Sequence, residues 1–169
     1  MGDPRFRQRV IAMCVHDPAG ALGLVVNQPH REIRLHGLLE QLEIPAGVAP
    51  DAEVLAGGPV EPGRGFVLHS TDWAGQDSIF VRDRWVLTGT LDVLRAIAEG
   101  RGPKRWLVAL GYAGWGEGQL ENEMRADGWH AADGTVDLLW DVSVGERWKR
   151  GWAGEGIDVT RVAGVAGRA

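Results

Sequence analysis

A mixed α/β domain built on a largely antiparallel sheet is what this chain predicts. Three observations carry the prediction. Short apolar runs bounded by turn residues recur along most of its length. Other segments place leucine, isoleucine or tryptophan at helical spacing. Several runs are joined by connections too short for a crossover helix, so hairpins prevail and a doubly wound parallel sheet is not expected.

The elements follow in order. Residues 9–16 and 21–27 read as two strands around Asp17-Pro18-Ala19-Gly20, where proline presets φ and glycine accepts a positive one. That hairpin is expected to stop before Pro29. Leu35, Leu38, Leu39 and Leu42 mark a short amphipathic helix ended by Pro45. Residues 53–56 form a strand entering Gly57-Gly58-Pro59, and residues 65–69, 78–81 and 85–88 form three more. Leu91, Leu94, Ile97 and Ala98 define a helix with Thr90 as N-cap and Gly100 as its stop. Residues 106–111 are almost continuously apolar, as in a central strand buried on both faces. A glycine-rich turn over residues 111–118 leads into a helix over 119–127. Residues 136–140 read as a last strand. Ser143 and Glu146 have capping-box spacing, and Trp148 and Trp152 share a face of the helix that follows. One domain spanning residues 1–169 is expected.

Composition narrows the function. Apolar residues make up 44% and charged residues 24%, ordinary globular usage. The formal net charge of −5 gives no general pull toward phosphate backbones, so direct nucleic-acid binding is not expected. Arg5, Arg7 and Arg9 form the basic cluster near a terminus and read as a solvated face. Cys14 is the single cysteine, which excludes an internal disulfide and a multi-cysteine metal site. The first residues lack the apolar core of a signal peptide, and the stretch 106–115 is too short to span a bilayer of ~30 Å. A cytoplasmic protein with no membrane partner is expected.

The glycine-rich segments are the first candidates for chemistry. Gly111, Tyr112, Gly114, Trp115, Gln119 and Glu121 sit where a strand hands over to a helix, and backbone amides there can hold an anion. The glycine offsets match neither a dinucleotide fingerprint nor a phosphate loop, and Glu117 and Glu121 would repel phosphate. Gly57 and Gly58 read mainly as a tight turn in close backbone contact. Trp115 is expected to be buried. Cys14 and His16, two apart on one strand, are expected to share a face. A thiolate–imidazole pair is one way to activate a nucleophile, yet a free cysteine in an apolar strand is more often a small buried hydrophobe. His69 ends another strand and is a further ligand candidate. Triad, zincin and nucleophile-elbow motifs are absent.

Several segments together resemble the YqgE/AlgH family of bacterial proteins. They are Asp3-Pro4-Arg5-Phe6, Cys14-Val15-His16, Gly20-Ala21-Leu22-Gly23-Leu24-Val25-Val26-Asn27-Gln28-Pro29, Gly57-Gly58-Pro59-Val60 and Gly65-Phe66-Val67-Leu68-His69. The most specific is Leu110-Gly111-Tyr112-Ala113-Gly114-Trp115-Gly116-Glu117-Gly118-Gln119-Leu120-Glu121. Trp129, Arg147-Trp148, Gly156-Ile157-Asp158 and Ala163-Gly164-Val165-Ala166 extend the likeness to the C-terminus. Where the family often carries Glu-His-Asn after the cysteine, this chain has Val15-His16-Asp17. The resemblance implies a mixed sheet curled toward a pseudo-barrel with helices outside. It implies no catalytic residue, metal or cofactor, because no activity is established for the family. One branch is named as a transcriptional regulator tied to exopolysaccharide synthesis.

Two functional expectations result. The first is a non-enzymatic regulatory or interaction protein, acting indirectly through an unknown protein partner or small ligand. The second is a small-molecule or metal binder, or an undescribed enzyme. Its site would gather Cys14, His16, Asn27, Gly57, Gly58, His69 and the residues of the glycine-rich segment at one rim of the sheet.

Overall fold

The computed structural model describes residues 4–160. Asp3 and the Ala163-Gly164-Val165-Ala166 segment lie outside the described residues. A 3-10 turn at Pro4–Phe6 precedes strand β1 (Ile11–Asp17) and strand β2 (Gly20–Val25). These two form the expected hairpin, with Asp17 Oδ1 accepting the Ala19 amide at 2.8 Å. Strand β3 (Pro29–Arg34) and helix α1 (Leu35–Gln41) follow, then strands β4 (Glu53–Ala56), β5 (Val60–His69), β6 (Ile79–Val81) and β7 (Trp85–Thr88). Helix α2 (Leu91–Ala98) leads to the long strand β8 (Trp106–Trp115). Helices α3 (Gln119–Arg125), α4 (Asp137–Trp140) and α5 (Arg147–Gly154) complete the described chain.

The sheet is mixed and mostly antiparallel, as expected, and curls until it is nearly closed as a barrel. Its strand order is β1-β2-β8-β5-β7-β6, with β3 and β4 joined on at the side. Strand β8 is the spine. One edge carries β5 along its length. The other edge is divided: β4 runs parallel to residues 108–110, and β2 runs antiparallel to residues 113–115.

Where that edge changes partner, three glycines meet. The Gly57 amide donates to Leu110 O and the Val25 amide donates to Gly57 O, both at 2.8 Å. A Cβ on Gly57 would lie 2.3 Å from Gly111 O, and one on Gly58 would lie 2.1 Å from the Tyr112 carbonyl carbon. Gly58 and Gly111 also have φ of 151° and 77°. Only glycine satisfies both the space and the backbone angles.

Alternation along β4, β5 and β8 feeds two cores. Val54, Val67 and Val108 face α1 and α2, where Leu35, Leu39, Val93 and Ile97 cover them. Leu55, Phe66, Leu68 and Ala109 fill the barrel interior with Leu24, Trp85, Leu87 and Cys14. A third, smaller cluster lies outside the β1–β2 end: Ala21, Ala113, Trp115 and Leu120 beneath α3, with Phe6, Met13 and Trp129 against them.

The structure corrects several expectations. Residues 136–140 are not a strand but the helical turn α4. Four apolar residues in five do not distinguish a strand from a buried turn, and here the carbonyls of Leu138 and Leu139 are held by Arg147 of α5. The second strand of the hairpin does stop before Pro29, but Pro29 itself opens a strand the sequence did not suggest, β3, a polar edge strand where a missing N–H costs nothing. The apolar strand expected at 106–111 continues through Gly111 to Trp115, so the glycine-rich turn shrinks to residues 116–118. Neither Thr90 nor Ser143 makes a side-chain cap. The Thr90 hydroxyl goes instead to Gln76 O (2.8 Å) and Asp92.

Gly58→Ala is expected to lose about 3 kcal/mol or more of stability, from the backbone clash and the positive φ together. Urea unfolding followed by circular dichroism checks this. An alanine variant within ~1 kcal/mol of the natural protein would contradict the junction as described.

Candidate functional site

The sequence placed Cys14 and His16 on one face, and the structure separates them. The β1–β2 register runs Met13↔Gly23, then Val15↔Leu22, which leaves Cys14 as the extra residue of a bulge. His16 pairs with Ala21, whose side chain lies in the outer cluster, whereas Cys14 packs in the barrel interior. Burial pushes the Cys14 thiol up to about 12, so it is a core hydrophobe and not a nucleophile. His16 is exposed and meets Glu121 at 2.5 Å, a contact that holds the Glu121 carboxyl below its ordinary range. This pair ties the hairpin tip to α3.

Trp115 is buried, 7% exposed, as expected. Its indole N–H donates to Glu123 Oε2 at 3.0 Å, and the Trp129 indole donates to the same oxygen at 2.8 Å. Gln119 closes the arrangement: its amide donates to Glu123 Oε1 at 2.9 Å and its carbonyl oxygen accepts the Gly116 amide at 3.0 Å. Tyr112 meets the Phe66 ring edge-on at 5.8 Å, and a Cβ on Gly114 would lie 3.2 Å from the Tyr112 ring. Asn27 serves the opposite side. Its Oδ1 accepts the Val10 amide and its Nδ2 donates to Gln8 O, both at 2.8 Å, so it fixes the path of residues 8–10.

His69 does not join this group. It pairs with Trp106, the first residue of β8, while Trp115 is the last, and nine residues of strand span roughly 30 Å. The rim foreseen from the sequence therefore does not include it. His69 is fully buried in a network of its own. Nδ1 lies 2.9 Å from Ser70 O, and a carbonyl only accepts, so Nδ1 carries the proton. Nε2 then accepts the Thr88 hydroxyl at 2.8 Å. Thr88 Oγ1 in turn accepts the Ser78 hydroxyl at 2.8 Å, and Ser78 Oγ accepts the Gly75 amide at 2.9 Å. Every proton in the chain is assigned, and it moors the loop between β5 and β6. Burial lowers the His69 pKa below 6.5, against the opposing pull of the Ser70 carbonyl, Asp72 and Asp92.

A concave site the sequence did not assemble lies over the outer cluster. It is a groove of about 370 Å³ between the start of β1, α3 and α5. Phe6, Trp115, Trp129, Trp148 and Trp152 line it, four of the eight tryptophans in the chain. Met13, Leu120, Met124 and Leu138 fill the wall between the rings, and Arg9 and His130 bring charge or polarity. Phe6 contacts Trp129 edge-on at 5.4 Å, and Trp115 meets Trp129 at 5.8 Å. His130 stacks on Trp152 at 4.7 Å and lies 3.7 Å from a Glu155 oxygen. Arg147 seats the α5 wall: the residue is 4% exposed, and its guanidinium donates to Leu138 O (3.1 Å), Leu139 O (2.8 Å) and Val26 O. The tryptophan spacing at 148 and 152 was the one visible signal. Phe6 and Arg9 come from one segment and Trp129 and His130 from another, and neither segment carries a pattern that points to the other.

Among the described residues no group of three metal-ligating side chains comes together. No described helix is long and apolar enough to cross a membrane.

The described chain is a nearly closed α+β barrel with an aromatic groove over its outer cluster. The chain belongs to the AlgH-like family, whose model matches residues 1–160. It is 59% identical to the UPF0301 protein of Rhizorhabdus wittichii over the whole chain and 91% of that protein. It is 57% identical to the UPF0301 protein of Novosphingobium aromaticivorans, with the same coverage. Among solved structures, the AlgH protein from Pseudomonas aeruginosa superposes with a TM-score of 0.82 at 36% identity, covering 96% of this chain and 87% of that one. A protein from Corynebacterium diphtheriae superposes at 0.67 with 18% identity, covering 89% of this chain and 80% of that one, and shares the fold.

Acid is expected to weaken the His69 network first. Because the folded pKa lies below 6.5, the unfolded chain takes the proton before the folded one. The stabilisation is complete above that value and is lost as pH falls below it. Urea midpoints for the natural protein are expected to drop between about pH 7.5 and about pH 5.5, with a flatter profile for His69→Gln. Parallel profiles would place the acid sensitivity elsewhere.

Proposed function

We propose that this chain is a non-enzymatic, ligand-responsive regulatory protein whose recognition site is the aromatic groove beside α3 and α5. The observation that carries the reading is the groove itself. Its volume of about 370 Å³ lies in the range of small-molecule sites, and its lining is dominated by indole rings and methionine. Rigid aromatic surface of this kind binds planar apolar molecules at low entropic cost. The buried thiol and the fully satisfied His69 chain leave the two strongest nucleophile and base candidates without a reactive role.

Regulation in this reading is indirect. The net charge of −5 and helices of four to eight residues give no surface suited to a major groove. Residues 1–169 act as one binding domain in a cytoplasmic setting, in keeping with a single free cysteine.

The test uses prodan, a neutral solvatochromic naphthalene dye. Addition of the natural protein is expected to shift its emission to the blue with one-to-one stoichiometry. Trp152→Ala and Trp148→Ala should weaken binding about ten-fold each while leaving the circular dichroism spectrum unchanged. An unchanged dye spectrum, or tryptophan variants that bind as well as the natural protein, would refute the assignment.

A further inference from the structure

We propose that the groove takes a planar apolar molecule bearing a carboxylate, and that Arg9 pairs with that carboxylate. The inference rests on the reading of the groove as a ligand site and adds the charge class of the ligand.

The sign of the lining carries it. Acidic residues outnumber basic ones by 23 to 18 in the chain, yet among the described residues no aspartate or glutamate lines the groove. The titratable side chains that do are Arg9 and His130. Two carboxylates that touch lining residues are engaged with them: both oxygens of Glu123 accept from Gln119 and the two indoles, and Glu155 faces His130 at 3.7 Å. A cationic ligand would find no counter-charge on the wall.

Arg9 supplies the second observation. It is half-buried in the groove wall, and its guanidinium makes no ion pair or hydrogen bond among the described residues. Its neighbours are held firmly. The Arg9 amide donates to Phe6 O at 3.1 Å, and Asn27 clamps Gln8 and Val10 on either side. An arginine held by its backbone in a wall that indole rings also line lacks the partner a guanidinium fits, a carboxylate accepting two parallel N–H bonds. A neutral ligand would bury Arg9 further and leave it unpaired, at a cost a carboxylate removes. His130, stacked on Trp152, extends the aromatic wall on which the ring of such a molecule would lie.

Isothermal titration with three matched probes tests this: 2-naphthoate, 2-naphthamide and 2-naphthylmethylammonium. The natural protein is expected to bind naphthoate at least about ten-fold more tightly than the amide, and the ammonium most weakly. Arg9→Gln should bring acid and amide within about three-fold of each other, and Arg9→Lys should restore part of the preference. Rising salt should erode the naphthoate advantage on the unaltered protein, a readout that needs no variant. Equal binding of acid and amide would overturn the carboxylate assignment and leave the groove reading standing. A naphthoate preference that survives Arg9→Gln would overturn the role of Arg9. Failure of all three probes, together with a silent prodan titration, would overturn the groove reading as well.

Discussion

The close approach of Gly57 and Gly58 to Gly111 is the constraint on which the rest of the architecture depends. Strand β8 has two edges and three neighbours. That arithmetic works only if one edge changes partner midway, and the change needs three chain segments within backbone hydrogen-bonding distance. Side chains would hold them apart. Because the junction closes, β4 can lie parallel to the first half of β8 while β2 lies antiparallel to the second. The first half is thereby committed to the core under α1 and α2. The second half emerges on the far side as the floor for α3. Gly57, Gly58 and Gly111 serve backbone packing at the junction, the close contact that the sequence suggested for the first two.

A single inserted residue then decides which chemistry is possible. The bulge at Cys14 reverses the facing of everything after it on β1. Without it, His16 would point into the barrel beside the thiol. With it, the thiol is sealed in the interior and the imidazole reaches Glu121 outside. Met13, just before the bulge, stays in the outer cluster, and its carbonyl accepts the Trp85 indole at 3.2 Å. Trp85 lies on β7, so that bond crosses the gap between the two ends of the open sheet, and the near-barrel is tied there by a side chain.

Local pattern revealed the elements far better than the site. The hairpin, both leucine-spaced helices, β4, β7 and the central strand were legible because burial on one or two faces imposes a period on the sequence. Strand β3 was not, because it is a polar edge with nothing to repeat. Helix α4 was not, because its short apolar run fits a strand equally well and its conformation is decided by Arg147 from another element. The capping residues failed for a related reason: Thr90 had a better partner in the neighbouring loop. The groove was the least legible feature. Phe6, Arg9, Trp115, Trp129 and Trp152 meet only in the folded chain.

What brings them together is three consecutive residues at the end of β2, Val25 to Asn27, whose polar groups each reach a different part of the molecule. The Val25 amide bonds Gly57 at the glycine junction. The Val26 carbonyl accepts Arg147, and the Val26 amide donates to Val10 O at 2.9 Å. The Asn27 side chain clamps Gln8 and Val10. One wall of the groove is therefore anchored through Arg147 and the other through Asn27, both to a segment already fixed by the sheet. Arg147 is a buried cation satisfied wholly by carbonyls, so it gains nothing by pairing with a ligand and everything by keeping its geometry. Arg9 is the opposite case, a cation held by its backbone with its charged end left open. The difference between the two arginines separates what the fold consumes from what it leaves available for recognition.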